Sequence, residues 1–244
     1  MMEDFLNSLS IPETCRVSKK IDKKEFIENF SLNVNDRKIL SQYINKITLE
    51  YLLNQDNINI LPFTDEIKDY SEIAIIKVQI SNQDKLKPIN NIIQQIPYPL
   101  IVFYIYENQI SLSLCAKRIN KADSSKLVVD EVNFSEWIDL NSINEIDKKF
   151  LVNLNINNHP FTDFLSFYES FIDTLIAHKS AKYSGTLNIS KDTKNILNDI
   201  QNLEINIIEL KNKIKKETSF NEKVNMNIEL KKLNDKLKDL KGKL

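Results

Sequence analysis

Glycine is nearly missing from this chain: Gly185 and Gly242 are the only two in 244 residues. Loops that cradle phosphate need several glycines so that backbone N–H groups can approach the anion. Neither a dinucleotide fingerprint nor a P-loop can be placed, which excludes a Rossmann dehydrogenase and a nucleotide-driven motor. Cysteine is as scarce: Cys15 and Cys115 lie far apart and fit no metal-ligand spacing. No apolar run approaches the roughly 20 residues that a membrane helix needs. The start Met1-Met2-Glu3-Asp4 is acidic where a signal peptide would be basic. These absences point to a cytoplasmic protein with free thiols and no membrane association. The formal net charge is −1, too small for a global field that draws in nucleic acid.

What the chain does have is a dense apolar centre. Ile73 to Ile80 is short and rich in β-branched residues, so it reads as a strand. Asp84 to Gln95 carries Leu86, Ile89, Ile92 and Ile93 on one helical face. Tyr98 to Tyr106 is the most apolar run, and Gln109 to Cys115 then alternates as Ile110, Leu112, Leu114. This strand-helix-strand-strand unit, residues 72–118, can bury its apolar groups only in a sheet packed on at least one face. Residues 1–20 read as an extended lead-in broken at Pro12. Lys23 to Leu53 reads as helical throughout, with Asn35-Asp36 placed to cap its second part. Lys126 to Phe134 reads as a further strand closed by Trp137, and Ile143 to Leu154 gives mixed signals. Phe161 to His178 reads as a helix with a broad apolar face. Tyr183-Ser184-Gly185 then breaks the chain. The fold class expected is α/β of the α+β kind: a small mixed sheet with flanking helices in a core domain of residues 1–185, and a helical tail over residues 190–244.

The tail carries two heptad seams. Ile196, Ile200, Leu203, Ile207, Leu210 and Ile214 recur by four and three. So do Met226, Leu230, Leu233, Leu237, Leu240 and Leu244. The two are out of phase, so one straight rod would bury Glu217, Asn221, Lys231 and Asp235. Folding about Phe220 pairs them instead, from Ile214 against Met226 out to Ile196 against Leu244. Ser219 and Glu222 have capping-box spacing at the fold. The expectation is an antiparallel αα-hairpin coiled coil.

Chemistry-bearing residues are sparse. His159 and His178 are the only histidines; a general base or metal site would need a partner, and Asp163 is the one acid at a suggestive spacing from His159. Glu66-Ile67-Lys68 beside Asp65 matches the Glu-x-Lys of a metal-dependent nuclease but falls in a polar stretch before the first good strand. Asp130 and Glu131, adjacent on a strand, would point to opposite faces. The aromatics of Tyr98 to Tyr106 lack interleaved Lys or Arg, so they read as core, not as a base-stacking platform. No G-x-S-x-G elbow exists. No catalytic, metal-binding or cofactor-binding residue is assigned, and the pattern points away from an enzyme. Charge is unevenly spread. From Glu204 onward there are 11 Lys and 7 acidic residues, net +4, so of 33 basic and 34 acidic residues the rest keeps 22 and 27, net −5. Lys211, Lys215, Lys216, Lys223, Lys231 and Lys232 are the candidate nucleic-acid contacts.

Four stretches carry a family resemblance. They are Ile11-Pro12-Glu13-Thr14 with Lys20-Ile21 and Lys23-Lys24-Glu25-Phe26; Ile96-Pro97-Tyr98-Pro99-Leu100; Trp137; and Lys215-Lys216-Glu217 with Phe220-Asn221, Lys223-Val224 and Asn227 to Lys231. The chain resembles a family of uncharacterised bacterial and archaeal proteins, a domain of unknown function found in genomic defence islands near helicases and DNA methyltransferases. The resemblance implies a non-enzymatic accessory subunit of an anti-phage or restriction-like complex. Its partners would be helicase or methyltransferase subunits, or a second copy. The alternatives are a nucleic-acid-binding module using the Lys-rich tail, and a metal-dependent nuclease.

Overall fold

The computed structural model describes residues 2–121, 123–189 and 192–244. In chain order the elements are α1 (Met2–Ser8), β1 (Arg16–Ile21), α2 (Lys23–Asn29), α3 (Val34–Tyr43), β2 (Ile44–Asn54), β3 (Phe63–Thr64), β4 (Asp69–Tyr70), β5 (Glu72–Ile80), α4 (Leu86–Ile93), β6 (Leu100–Tyr106), β7 (Gln109–Asn120), β8 (Asp123–Phe134), β9 (Ile138–Asp139), α5 (Glu145–Asn153), α6 (Phe164–Ser184), α7 (Thr193–Lys216) and α8 (Phe220–Lys241). The class is mixed α/β with flanking helices and C-terminal helices. The chain divides into two compact units, Met1–Leu175 and Ile176–Leu244. Ser190, where the tail reading begins, lies outside the described residues.

In the first unit a seven-stranded sheet runs β1-β2-β5-β6-β7-β8, with β9 on β7. Among the described residues of this sheet, β5 and β6 alone pair in parallel, joined through α4; its other ladders are antiparallel. Helices α2, α3 and α4 cover one face, over Ile47, Ile76, Val78, Val102 and Tyr104. On the other face Phe5 of α1 meets Phe103 edge-on at 5.3 Å, beside Phe150 of α5. Strands β5 and β6 are thus buried on both sides, which explains their unbroken apolar runs.

Three readings from sequence are corrected in the first unit. Residues 1–20 are not an extended lead-in but α1, a 3-10 turn and β1, with Phe5, Leu6 and Leu9 buried. The helix expected to Leu53 ends at Tyr43, and Ile44 onward is β2, a central strand between β1 and β5. Because both faces of β2 are covered, its apolar residues do not alternate, and a short run of that kind matches a helical period as well. The cap of α3 is Asn33, not Asn35-Asp36. Asn33 Oδ1 accepts from Asp36 N at 2.9 Å, and Asp36 Oδ2 accepts from Asn33 N at 3.2 Å. The mixed stretch before Leu154 resolves as α5, with Asn144 Oδ1 accepting from Asp147 N.

In the second unit α6 ends where Gly185 takes φ +75°, the left-handed conformation that closes a helix and that a Cβ would strain. Glu204 of α7 accepts from Tyr183 Oη and from Lys241 Nζ of α8, both at 3.0 Å. Three helical segments therefore meet at one carboxylate. Helix α8 begins after Ser219, but that residue makes no side-chain cap bond, correcting the expected capping box. Glu217 holds the turn instead, its Oε1 accepting from Thr218 N and Ser219 N. A carboxylate is the stronger acceptor for these orphan donors.

Candidate functional site

A cavity of about 840 Å³ opens on the α2–α4 side of the sheet in the first unit. Its floor is Leu49 and Leu52 of β2 with Ala74 and Ile76 of β5. Ile21 and Phe26 form one wall and Ile96-Pro97-Tyr98 the facing one. Two of the four stretches singled out in the sequence thus come together here, although they are far apart in the chain. Lys19, Glu25 and Glu72 are the charges among its lining residues. Burial pushes the Glu72 carboxyl up, helped by the nearby charge of Asp69.

The second wall is held from beneath by Lys117. Its ammonium donates to three backbone carbonyls, Gln94 O at 3.1 Å, Ile96 O at 2.7 Å and Tyr98 O at 2.6 Å. Helix α4 ends at Ile93, and these carbonyls belong to its C-cap Gln94 and to the loop beyond, where buried acceptors need donors. Only 2% of Lys117 is exposed, and burial pulls its pKa down to about 7. Next to it, Asn90 Oδ1 accepts from Tyr104 Oη at 3.0 Å and Ser113 Oγ at 2.9 Å. Ser111 and Ser113 alternate with Ile110, Leu112 and Leu114 along β7 and so share its other face. The structure buries it under α4 and satisfies it there.

The sequence candidates for catalysis do not assemble. Asp65 Oδ1 accepts from Ile67 N and Lys68 N, which holds its carboxyl below the ordinary value. Lys68 pairs with Glu169 at 2.9 Å, and Glu66 is exposed. These residues form a turn between β3 and β4. Asp163 Oδ1 accepts from Ser166 N at the start of α6, whereas His159 Nδ1 lies 2.7 Å from Ser170 Oγ and its ring stacks on Phe171 at 3.7 Å. Burial pulls the His159 pKa down to about 4. His178 is buried. Both cysteines are buried and free, and burial pushes both thiols up, away from the thiolate a nucleophile needs. Asp130 pairs with Arg118 at 3.6 Å. Among the described residues no three His, Cys, Asp or Glu side chains are placed to hold a metal ion.

On α7 the seam residues Ile200, Leu203, Ile207 and Leu210 are buried, and Ile196 and Ile214 half-buried. Thr193 and Leu197 join the buried stripe, a continuation the heptad count missed. On α8, Met226, Leu230, Leu233, Leu237 and Leu240 are half-buried, as is Leu244 beyond it. Of the six candidate lysines, Lys223 is half-buried and Lys211, Lys215, Lys216, Lys231 and Lys232 are exposed. One feature escaped the seam reading. Phe220, Val224 and Ile228 are 77%, 42% and 53% exposed, and their spacing of four makes them a single stripe on α8. Val224 and Ile228 each lie two residues from Met226, so at 3.6 residues per turn the stripe faces away from the seam.

A family model described as Domain of unknown function (DUF4391) matches residues 9–237. No curated protein and no solved structure matches the chain.

Proposed function

The chain belongs to the DUF4391 family, and on that premise we propose that it is a non-enzymatic interaction subunit that docks an acidic, apolar helix face of a partner protein on α8. The observation that carries this reading is the exposed Phe220–Val224–Ile228 stripe. A stripe of this kind on a helix whose other side already packs in a seam is the pattern of helix-in-groove recognition. The lysines of α8 and the preceding turn set the partner's charge: a net +4 region favours an acidic rim. The defence-island resemblance supplies the partner class, a helicase or DNA methyltransferase subunit of an anti-phage or restriction-like complex.

The test is purification from the native host with the chain tagged. A stoichiometric helicase or methyltransferase should accompany the wild type and be lost from Ile228→Asp, with circular dichroism unchanged. A chain that purifies alone as a monomer would end this reading. A second reading, nucleic-acid binding, draws on the exposed lysines of α7 and α8. It is separated from the first by its salt dependence, because release of counterions makes backbone affinity fall steeply with ionic strength.

A further inference from the structure

On the opposite face of the sheet, under α1, lies a second cavity of about 320 Å³ with a polar lining. Two irregular strands build it. The β1–β2 register shifts between Arg16 and Lys19, where Ser18 takes φ +50°, and the β2–β5 register shifts between Leu49 and Tyr51, at Glu50. Bulges re-aim side chains and recur beside binding sites. Here they bring Arg16, Ser18, Thr48 and Glu50 to one cavity with Lys46 and with Lys77 of β5.

Two buried polar atoms of this cavity, Thr48 Oγ1 and Glu50 Oε1, make no hydrogen bond among the described residues. Thr48 and Glu50 are each only 6% exposed. Lys77 Nζ sits 2.5 Å from Glu50 Oε1 as an ion pair, and that oxygen accepts no hydrogen bond among the described residues. A buried polar atom left in this state is costly unless something else satisfies it. Arg16 Nε donates to Ser18 Oγ at 3.1 Å, which orients the guanidinium. Arg16 also meets the exposed Glu13 at 3.5 Å, a surface pair of little strength; on the lining itself, with Lys77 balanced by Glu50, Arg16 and Lys46 outweigh Glu3.

We propose that this cavity binds a small phosphorylated molecule carrying a further hydroxyl. Arg16 and Lys46 neutralise the phosphoryl oxygens, Thr48 and Ser18 donate to them, and Glu50 accepts from the hydroxyl. The cavity volume is at the lower end of the range for ligand sites, about 300–1,000 Å³. Leu6 and Asn7 of α1 roof it, and Glu3 beside them repels a long polyanion, which favours a small ester over nucleic acid.

The test uses the full chain with inorganic phosphate and glycerol 3-phosphate as probes, read by calorimetry and thermal unfolding. Both should bind and raise the unfolding midpoint with concentration, and glycerol 3-phosphate should bind the more tightly. Thr48→Val should weaken both by about tenfold while raising the midpoint of the unliganded protein, because it removes an unpartnered buried hydroxyl. Lys46→Met, at an exposed position, should weaken both without loss of fold. The proposal is overturned if neither probe binds. It is equally overturned if binding is unchanged in Thr48→Val and Lys46→Met, or if a DNA oligonucleotide competes at these residues while glycerol 3-phosphate does not.

Discussion

At the scale of single residues, two buried basic groups set how stability depends on pH. His159 titrates near 4 in the fold and near 6.5 in an unfolded chain. Between those values the unfolded state binds more protons, so stability rises with pH across the window and is lost as pH falls through it. At about 1.36 kcal/mol per unit, the loss approaches roughly 3 kcal/mol. His159→Phe should flatten urea midpoints between pH 4 and 6.5 and keep the stack on Phe171. Lys117 acts in a higher window. Its folded value of about 7 lies below the unfolded one near 10.5, so its contribution to stability grows from pH 7 towards 10.5. Lys117→Met should remove that slope. It should also destabilise by roughly 3 kcal/mol, because the carbonyls of Gln94, Ile96 and Tyr98 lose their buried donor.

At the scale of elements, α7 shows how far two neighbouring positions can differ. Leu210 is buried and Lys211 exposed. Leu210→Asp places an unpaired carboxylate in a dry seam and should cost about 3 kcal/mol or more. Lys211→Asp should stay within about 0.5 kcal/mol. Thermal unfolding followed by helical circular dichroism would separate the two, and equal losses would contradict the seam. Strand β2 teaches the complementary lesson. Ile44, Ile47 and Leu53 were read as a helix face, yet pairing with β5 along nearly its whole length makes Ile44–Asn54 a strand. Partners from elsewhere in the chain decided the matter.

At the scale of the whole molecule, charge is segregated: net +4 from Glu204 onward against −5 before it. Weak attraction of that region to DNA is expected at low salt, fading by about 0.2 M as counterion release loses its driving force. Replacing Lys215, Lys216, Lys231 and Lys232 with Glu should abolish retention on duplex DNA. Binding of glycerol 3-phosphate should be untouched, since none of the four lines the polar cavity. Retention that survives the four changes would show that other residues carry it.

Local pattern was enough to determine the apolar strands β5 and β6, the helix between them and the chain break at Gly185. In each, propensity and spacing are properties of neighbours in the chain, and solvent exposure follows from them. Three kinds of feature were decided only by tertiary structure. The strand identity of Ile44–Asn54 depends on flanking strands distant in sequence. Lys117 looks like a solvated charge until the segment after α4 places three carbonyls over it. The polar cavity exists because bulges in β1 and β2 coincide in space with α1 above them. Register shifts and long-range pairing leave no periodic trace in composition, because their energy comes from partners that only the folded chain brings together.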